Sequence, residues 1–348
     1  MSAWDVALER LRTVLSRMQS QEDFRRKMRE RDEVLARYQP VFNPHNLDSL
    51  SEEVFRSFLY FENNKHWTGL QRTANLITSD MDALRKGLAI LLDESQPLAE
   101  RFDEALKRVK GMGKALATAI LLVVYPDRYG VWNSTSEAGM KITGLWPQFK
   151  KGTTPGQRYA RINEILCQLA TSLKIDLWTL DWLWWELVQE QETEGESKER
   201  SLSPWPDEQR FRLEQHLLDF LIANWEHTEL GKEWDIYSEP GEELAGCEYP
   251  TDVGRIDILA RHKHRPAWLV VELKRGRTSD QTLGQLLRYM GWVQRNLASP
   301  EEEVNGLIIA ADVEPALLLA LEALGHNRVQ VMRYRVQFHL EHVSALKR

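Results

Sequence analysis

Asp257, Glu272 and Lys274 are three residues whose types and spacing could build a reactive centre. Asp257 closes the run Gly254-Arg255-Ile256-Asp257, while Glu272 and Lys274 end the apolar run Ala267-Trp268-Leu269-Val270-Val271-Glu272-Leu273-Lys274. Side chains two apart on a strand project to one face, so Glu272 and Lys274 stand side by side. A neighbouring strand carrying Asp257 would bring a second carboxylate to the same spot. Two carboxylates can hold Mg²⁺, which takes oxygen ligands, keeps several waters and bridges readily to a phosphate. The lysine beside them can orient an attacking water or help to deprotonate it. An isolated E-x-K is far more often a surface ion pair at a strand end, so the weight rests on what accompanies it.

The surrounding elements supply that company. Phe211–Trp225 reads as a helix on which Phe211, Leu218, Leu221, Ile222 and Trp225 form one apolar stripe, with Glu214 inside it. A carboxylate on a core-facing stripe is costly unless it is paired or metal-bound. Arg255–Arg261 and Ala267–Leu273 are short strands rich in β-branched residues, and Ser279–Asn296 returns to helical spacing. There Leu283, Leu286, Met290 and Val293 make the buried face, while Gln285, Tyr289 and Trp292 cluster on another. Gln285 and Tyr289 are one helical turn apart and could jointly reach a phosphate or a metal-bound water. Val304–Ala311 reads as a strand, Pro315–Leu324 as a helix, and Arg328–Val343 alternates. Helix, strands, helix, strand predicts an α/β domain: a mixed sheet flanked by helices.

Upstream, apolar residues recur at three- and four-residue steps over Asp5–Tyr38, Met81–Leu92 and Glu100–Lys110, as in a mostly α-helical domain. Gln189–Asp207 is polar, charge-dense and ends in two prolines, as a solvated linker would. The expected organisation is a helical domain over 1–188, a charged linker over 189–207 and the α/β domain over 208–348. The run Leu177–Trp185 (LWTLDWLWW) reads first as a packed helical core. Cys167 and Cys247 are too few for a disulfide framework and are expected as reduced thiols in the cytoplasm. Charges interrupt the N-terminal segment and no run is long and apolar enough to span a membrane. The net charge of −7 argues against a protein that coats nucleic acid indiscriminately.

With these residues in order, the segment Arg210–Ala311 resembles the PD-(D/E)XK nuclease superfamily, most closely its NucS/EndoMS-like branch. The elements that carry the resemblance are Glu214 in the first helix, GRID through Asp257, VELKR through Glu272 and Lys274, and QLLRY through Gln285 and Tyr289. It implies metal-dependent hydrolysis of DNA phosphodiesters, in repair or in defence against foreign DNA. Asp257 and Glu272 would ligate Mg²⁺ or Mn²⁺, with the Leu273 carbonyl as a third ligand, and Lys274 would position the attacking water. Glu214 would assist through a second metal or a bridging water, and Gln285 and Tyr289 would finish the site around the phosphate. Arg255 and Arg275, beside the carboxylates, would contact DNA. A homodimer is the expected assembly, because cutting both strands commonly needs two active sites. The alternative is a non-catalytic protein that uses a nuclease-like fold to bind DNA or a partner.

In the helical half, Lys110-Gly111-Met112-Gly113-Lys114 joins a charged helix to an apolar one through a G-x-G turn. It resembles the helix-hairpin-helix element of DNA-repair glycosylases, in which N–H groups at the second helix's start face a DNA phosphate. Lys110 and Lys114 would add charge to such a turn. The segment around Tyr129–Asn133 has Asn133 where those glycosylases carry a catalytic aspartate, which argues for DNA binding rather than base excision. The plainer reading is an interhelical turn using glycine for its positive φ. Phe58–Leu70 (FLYFENNKHWTGL) either lines a pocket that reads nucleic acid or is a loop packed by Trp67. His262 and His264 fall in an expected hairpin turn, Arg261–Arg265.

Overall fold

A computed structural model describes residues 2–194, 216–239, 242–278, 280–324 and 328–335. The first helix, Ala3–Ser20, starts on a capping box between Ser2 and Asp5. The periodicity that reads as one stretch over Asp5–Tyr38 is broken at Gln21, whose backbone is extended (φ −73°, ψ 140°), and a second helix follows over Asp23–Tyr38. The pattern passes through the break because both helices turn their apolar faces to one core: Met18, Val34 and Tyr38 are all buried in it.

At the centre of that core lies Lys114–Val124, in which every residue from Leu116 to Val123 is buried. An all-round apolar helix of this kind has to be enclosed. Helices Met81–Leu92, Leu98–Arg108, Pro155–Leu173 and Leu177–Glu194 contribute to the same core. The last of these carries the tryptophan run, and Trp178, Trp182 and Trp184 are only 3%, 7% and 0% exposed. Trp184 sits so close to Gly139 that a Cβ there would come within 2.4 Å of the indole. The same helix continues through Gln189–Glu194, so the linker expected from residue 189 begins as helix. Residues 195–215 lie outside the described part.

The second domain is built on six strands: β1 (Trp234–Ile236), β2 (Cys247–Thr251), β3 (Gly254–His262), β4 (Ala267–Thr278), β5 (Glu303–Val313) and β6 (Val329–Arg333). Their order is β1-β3-β4-β5-β6, with β2 also pairing with β3. β1 takes the end of β3 at Ala260–His262 and β2 its beginning at Gly254–Ile258, both antiparallel. β3 and β4 form the expected hairpin, whereas β4, β5 and β6 run parallel. Parallel neighbours need crossovers, and helices Asp280–Asn296 and Pro315–Leu324 supply them.

Alternation on β4 and β5 divides the interior. Trp268, Val270, Val304 and Ile308 face the helix Asp280–Asn296 through Leu283, Leu286, Met290 and Val293. Leu269, Val271, Leu273, Leu307 and Ile309 face the other way, onto Leu218, Ile222 and Trp225 from the helical turns over 216–223 and just beyond. A sheet covered on both faces explains why β4 and β5 are nearly continuous apolar runs. Ile308, fully buried at the middle of β5, tests this layering. Ile308→Ala should cost about 2 to 5 kcal/mol, read as a lower denaturation midpoint with an unchanged slope.

Candidate active site

Asp257 shares the face of Leu259 on β3, and Glu272 and Lys274 share the face of Val270 on β4; Leu259 and Val270 are register partners in the core beneath the helix Asp280–Asn296. The described β3–β4 register ends at Ile258 with Val271. One step on, the Leu273 N–H donates to Asp257 Oδ2 at 2.7 Å. The aspartate thus takes a position that backbone pairing would otherwise hold. In antiparallel geometry a residue's N–H and C=O address the same edge, so the Leu273 carbonyl also faces the Asp257 side. Glu272 is only 2% exposed, and its Oε1 lies 3.3 Å from Lys274 Nζ. The β4–β5 register shifts between Lys274 and Arg277, immediately after the lysine.

A buried carboxylate is tolerated when cationic groups and hydrogen bonds offset its lost hydration. Glu272, a second carboxylate on the adjoining strand and a backbone carbonyl on the same edge make an all-oxygen donor set of the kind Mg²⁺ and Mn²⁺ accept. Among the described residues no three His, Cys, Asp or Glu side chains converge as a metal cluster. Glu214 and the side chain of Arg275 lie outside the described residues.

Gln285 and Tyr289 do meet on one surface of their helix: Gln285 Nε2 donates to the Tyr289 hydroxyl at 3.3 Å. Both are buried, at 9% and 1% exposure. The Tyr289 ring presses on Gly254, where φ is +126° and a Cβ would approach the hydroxyl to 2.5 Å. The glycine that opens GRID therefore admits the tyrosine that braces the start of β3.

The expected DNA-contacting cations divide into two groups. Gly111 has the positive φ, +83°, of a tight turn, and Gly113 is the N-cap of Lys114–Val124. Lys110 is exposed at this turn. Lys114 instead points inward: its Nζ lies 2.7 Å from Glu242 and 3.4 Å from Glu137. Arg255 is likewise engaged, with Glu248 at 3.1 Å and the Thr135 hydroxyl at 3.2 Å.

These contacts belong to a network joining the two domains that the sequence patterns do not reveal. Arg72 reaches Asp219 at 2.8 Å and Glu248 at 3.1 Å, and Lys141 Nζ donates to the Pro250 carbonyl at 2.9 Å. Asp219, in the helical turns over 216–223, is thus an interdomain partner. Glu248 adopts φ +51°, a strained value for a non-glycine residue, and its carboxylate meets both Arg72 and Arg255. Its one sequence signal is a charge inside a short strand between Cys247 and Tyr249. In the β3–β4 turn, His262 Nδ1 accepts from the N–H groups of His264 and Arg265, both at 3.0 Å, and so organises the loop.

With this geometry in place, residues 233–333 match the family Endonuclease NucS C-terminal domain. The C-terminal domain is NucS-like. Two solved structures are similar to the chain. One is a repair endonuclease from Pyrococcus abyssi, 22% identical over 25% of this chain and 35% of that one, with a TM-score of 0.22. The other is an EndoMS–dsDNA complex, 18% identical over 35% of this chain and 44% of that one, with a TM-score of 0.27. The chain therefore spans less than half of either relative. No curated protein matches it. Among the described residues no helix is long and apolar enough to cross a membrane.

The network that docks the helical domain on the NucS-like domain makes two outcomes measurable. Burial alone would raise the Glu137 carboxyl, but Lys114, Lys141 and the Trp132 N–H outweigh it and hold the group below its ordinary 4.5. A carboxyl depressed on folding contributes stability above its unfolded value and loses it as pH falls through the folded value. The difference in Tm between the parent and Glu137→Gln should therefore be largest near neutrality and shrink below about pH 4. Lys114→Met, which takes a cation from both Glu242 and Glu137, should cost about 3 to 5 kcal/mol in denaturant unfolding. Lys110→Ala, on the exposed side of the same turn, should cost no more than about 0.5 kcal/mol.

Proposed function

We propose that this chain is a metal-dependent DNA endonuclease. The observation that carries the reading is the pairing of Asp257 with the Leu273 amide on a strand edge that also presents Glu272, with Lys274 3.3 Å from Glu272. The match of residues 233–333 to an endonuclease domain family supports it. Asp257, Glu272 and the Leu273 carbonyl would hold Mg²⁺ or Mn²⁺, which when bound supplies a Lewis acid at the phosphate and a more acidic water. Lys274 would orient the attacking water with its ammonium and stabilise charge growing on the phosphate. Gln285 would hold a phosphate oxygen or water by its amide, with Tyr289 fixing its orientation. Glu214 would assist from the preceding helix.

DNA would be held partly by the helical domain. Lys110 and the N–H groups at the Gly111–Gly113 turn offer a phosphate contact, and Arg275 offers another beside the carboxylates. Lys114 and Arg255 would act indirectly, by fixing the domains through Glu242, Glu137 and Glu248. Double-strand cutting would bring two copies of the chain together; light scattering with and without DNA tests this, and a monomer in both states would sink it. Repair and defence against foreign DNA are both compatible with this chemistry.

The decisive assay incubates the full chain with plasmid, single-stranded, mismatched and branched DNA in Mg²⁺, Mn²⁺ or EDTA. Cleavage should need the metal, vanish in Asp257→Ala and fall about 10²- to 10⁴-fold in Lys274→Ala. No cleavage on any substrate, with DNA binding equal in parent and variants, would leave a non-catalytic binding protein instead.

A further inference from the structure

A cleft of about 1720 Å³ runs between the helical domain and the NucS-like domain, and the helical side of its wall is aromatic. His66 and Trp178 have ring centroids 4.5 Å apart, and Trp67 and Trp178 4.9 Å apart. Asp181, in the same tryptophan-rich helix, also lines the cleft and is only 6% exposed. Its Oδ2 accepts from Trp67 Nε1 at 2.9 Å and lies 3.1 Å from His66 Nε2. Its Oδ1 is buried and has no hydrogen-bond partner among the described residues. One turn on, half-buried Trp185 lines the same cleft.

A buried carboxylate with an unsatisfied oxygen is expensive, so a ligand that brings an N–H to Oδ1 recovers the cost. Half-buried Trp185 favours a planar π system, on which stacking adds to that hydrogen bond. An aromatic and acidic pocket also suits an organic cation; the lysines beside His66 and the glycine turn favour a base flanked by phosphates. Lys65, next to His66, and Lys107 and Lys110, before the glycine turn, are all exposed and line the cleft. They would repel a cationic ligand and attract phosphates on either side of a base. Of the acids that also line the cleft, Asp219, Glu242, Glu248 and Glu190 are engaged by Arg72, Lys114, Arg255 and Arg17, whereas Glu62 and Glu243 are exposed.

We propose that the Asp181 end of this cleft is a pocket for an unstacked nucleobase carrying an exocyclic amine, stacked on Trp185 and donating an N–H to Oδ1. Carboxylates accept from such amines in base recognition, and extrusion of a base from the stack is how proteins reach its edge. Thymine, whose N3–H is flanked by two carbonyl oxygens, fits least. The proposal rests on the reading of this chain as a DNA enzyme and adds a substrate feature to it: the protein would favour DNA in which such a base is unpaired.

The test is anisotropy binding of the full chain in EDTA, which separates binding from cleavage. The probes are labelled duplexes with one bulged deoxycytidine, deoxyadenosine, thymidine or abasic residue, and the fully paired duplex. The deoxycytidine or deoxyadenosine bulge should bind at least about tenfold more tightly than the abasic one, with thymidine nearer the abasic value. That ratio should collapse to within about twofold in Asp181→Asn and in Trp185→Leu. The second variant decides the matter if the first does not fold. Equal affinity for base and abasic bulges, or a ratio that survives both variants, overturns the pocket. Metal-dependent plasmid cleavage with no base preference overturns the pocket alone, whereas failure to bind or cut any DNA overturns the nuclease reading with it.

Discussion

The Leu273 amide gives its hydrogen bond to a side chain, Asp257, rather than to the neighbouring strand. Backbone amides buried in a sheet have to be satisfied somewhere. Using a carboxylate for this purpose tethers Asp257 to the strand that carries Glu272 and Lys274 and opens the edge between β3 and β4 where the proposed chemistry would sit. The rest of the domain supports that opening. β1 and β2 share the far edge of β3, Gly254 admits Tyr289 against the strand's start, and parallel β5 holds β4 from the other side.

Charge ties this sheet to the helical domain. Lys114 and Arg72 each meet a carboxylate on the other domain, and Arg255 joins Glu248 of its own domain to the Thr135 hydroxyl; the three cationic side chains are only 10% to 14% exposed. Buried ion pairs add little net stability against an apolar substitute, but breaking one is costly, so such contacts specify an arrangement more than they strengthen it. Here they hold the aromatic cleft and the start of β3 together: Arg255, which lines the cleft, lies two residues from Asp257 on one strand.

The residues of the proposed site were legible because their signals are local. An apolar run ending in E-x-K, a G-R-I-D turn into a strand and a helix with Gln285 and Tyr289 one turn apart need no knowledge of distant contacts, and the strand and helix spans follow closely. β1 and β2 escaped because they are short, and β2 includes Pro250, an unusual residue for a strand. The break at Gln21 escaped because both helices face one core. Lys114 was misleading for a different reason. A lysine beside a glycine turn resembles a phosphate contact, and only the fold brings Glu242 to it from the other domain. Asp181 is the one acid of the run Leu177–Trp185, and nothing local hints that Trp67 and His66 share one of its oxygens.

Parallel pairing of β4 with β5 also sets an order of assembly. The helical domain emerges before the sheet during synthesis, which favours its folding first. The carboxylates of β3 and β4 can form their hairpin soon after they emerge, but β4 gains its second neighbour only when the helix Asp280–Asn296 has crossed over and β5 is in place. The docking surface on the helical domain would thus be ready before the strands that use it, and the reactive edge would be completed last.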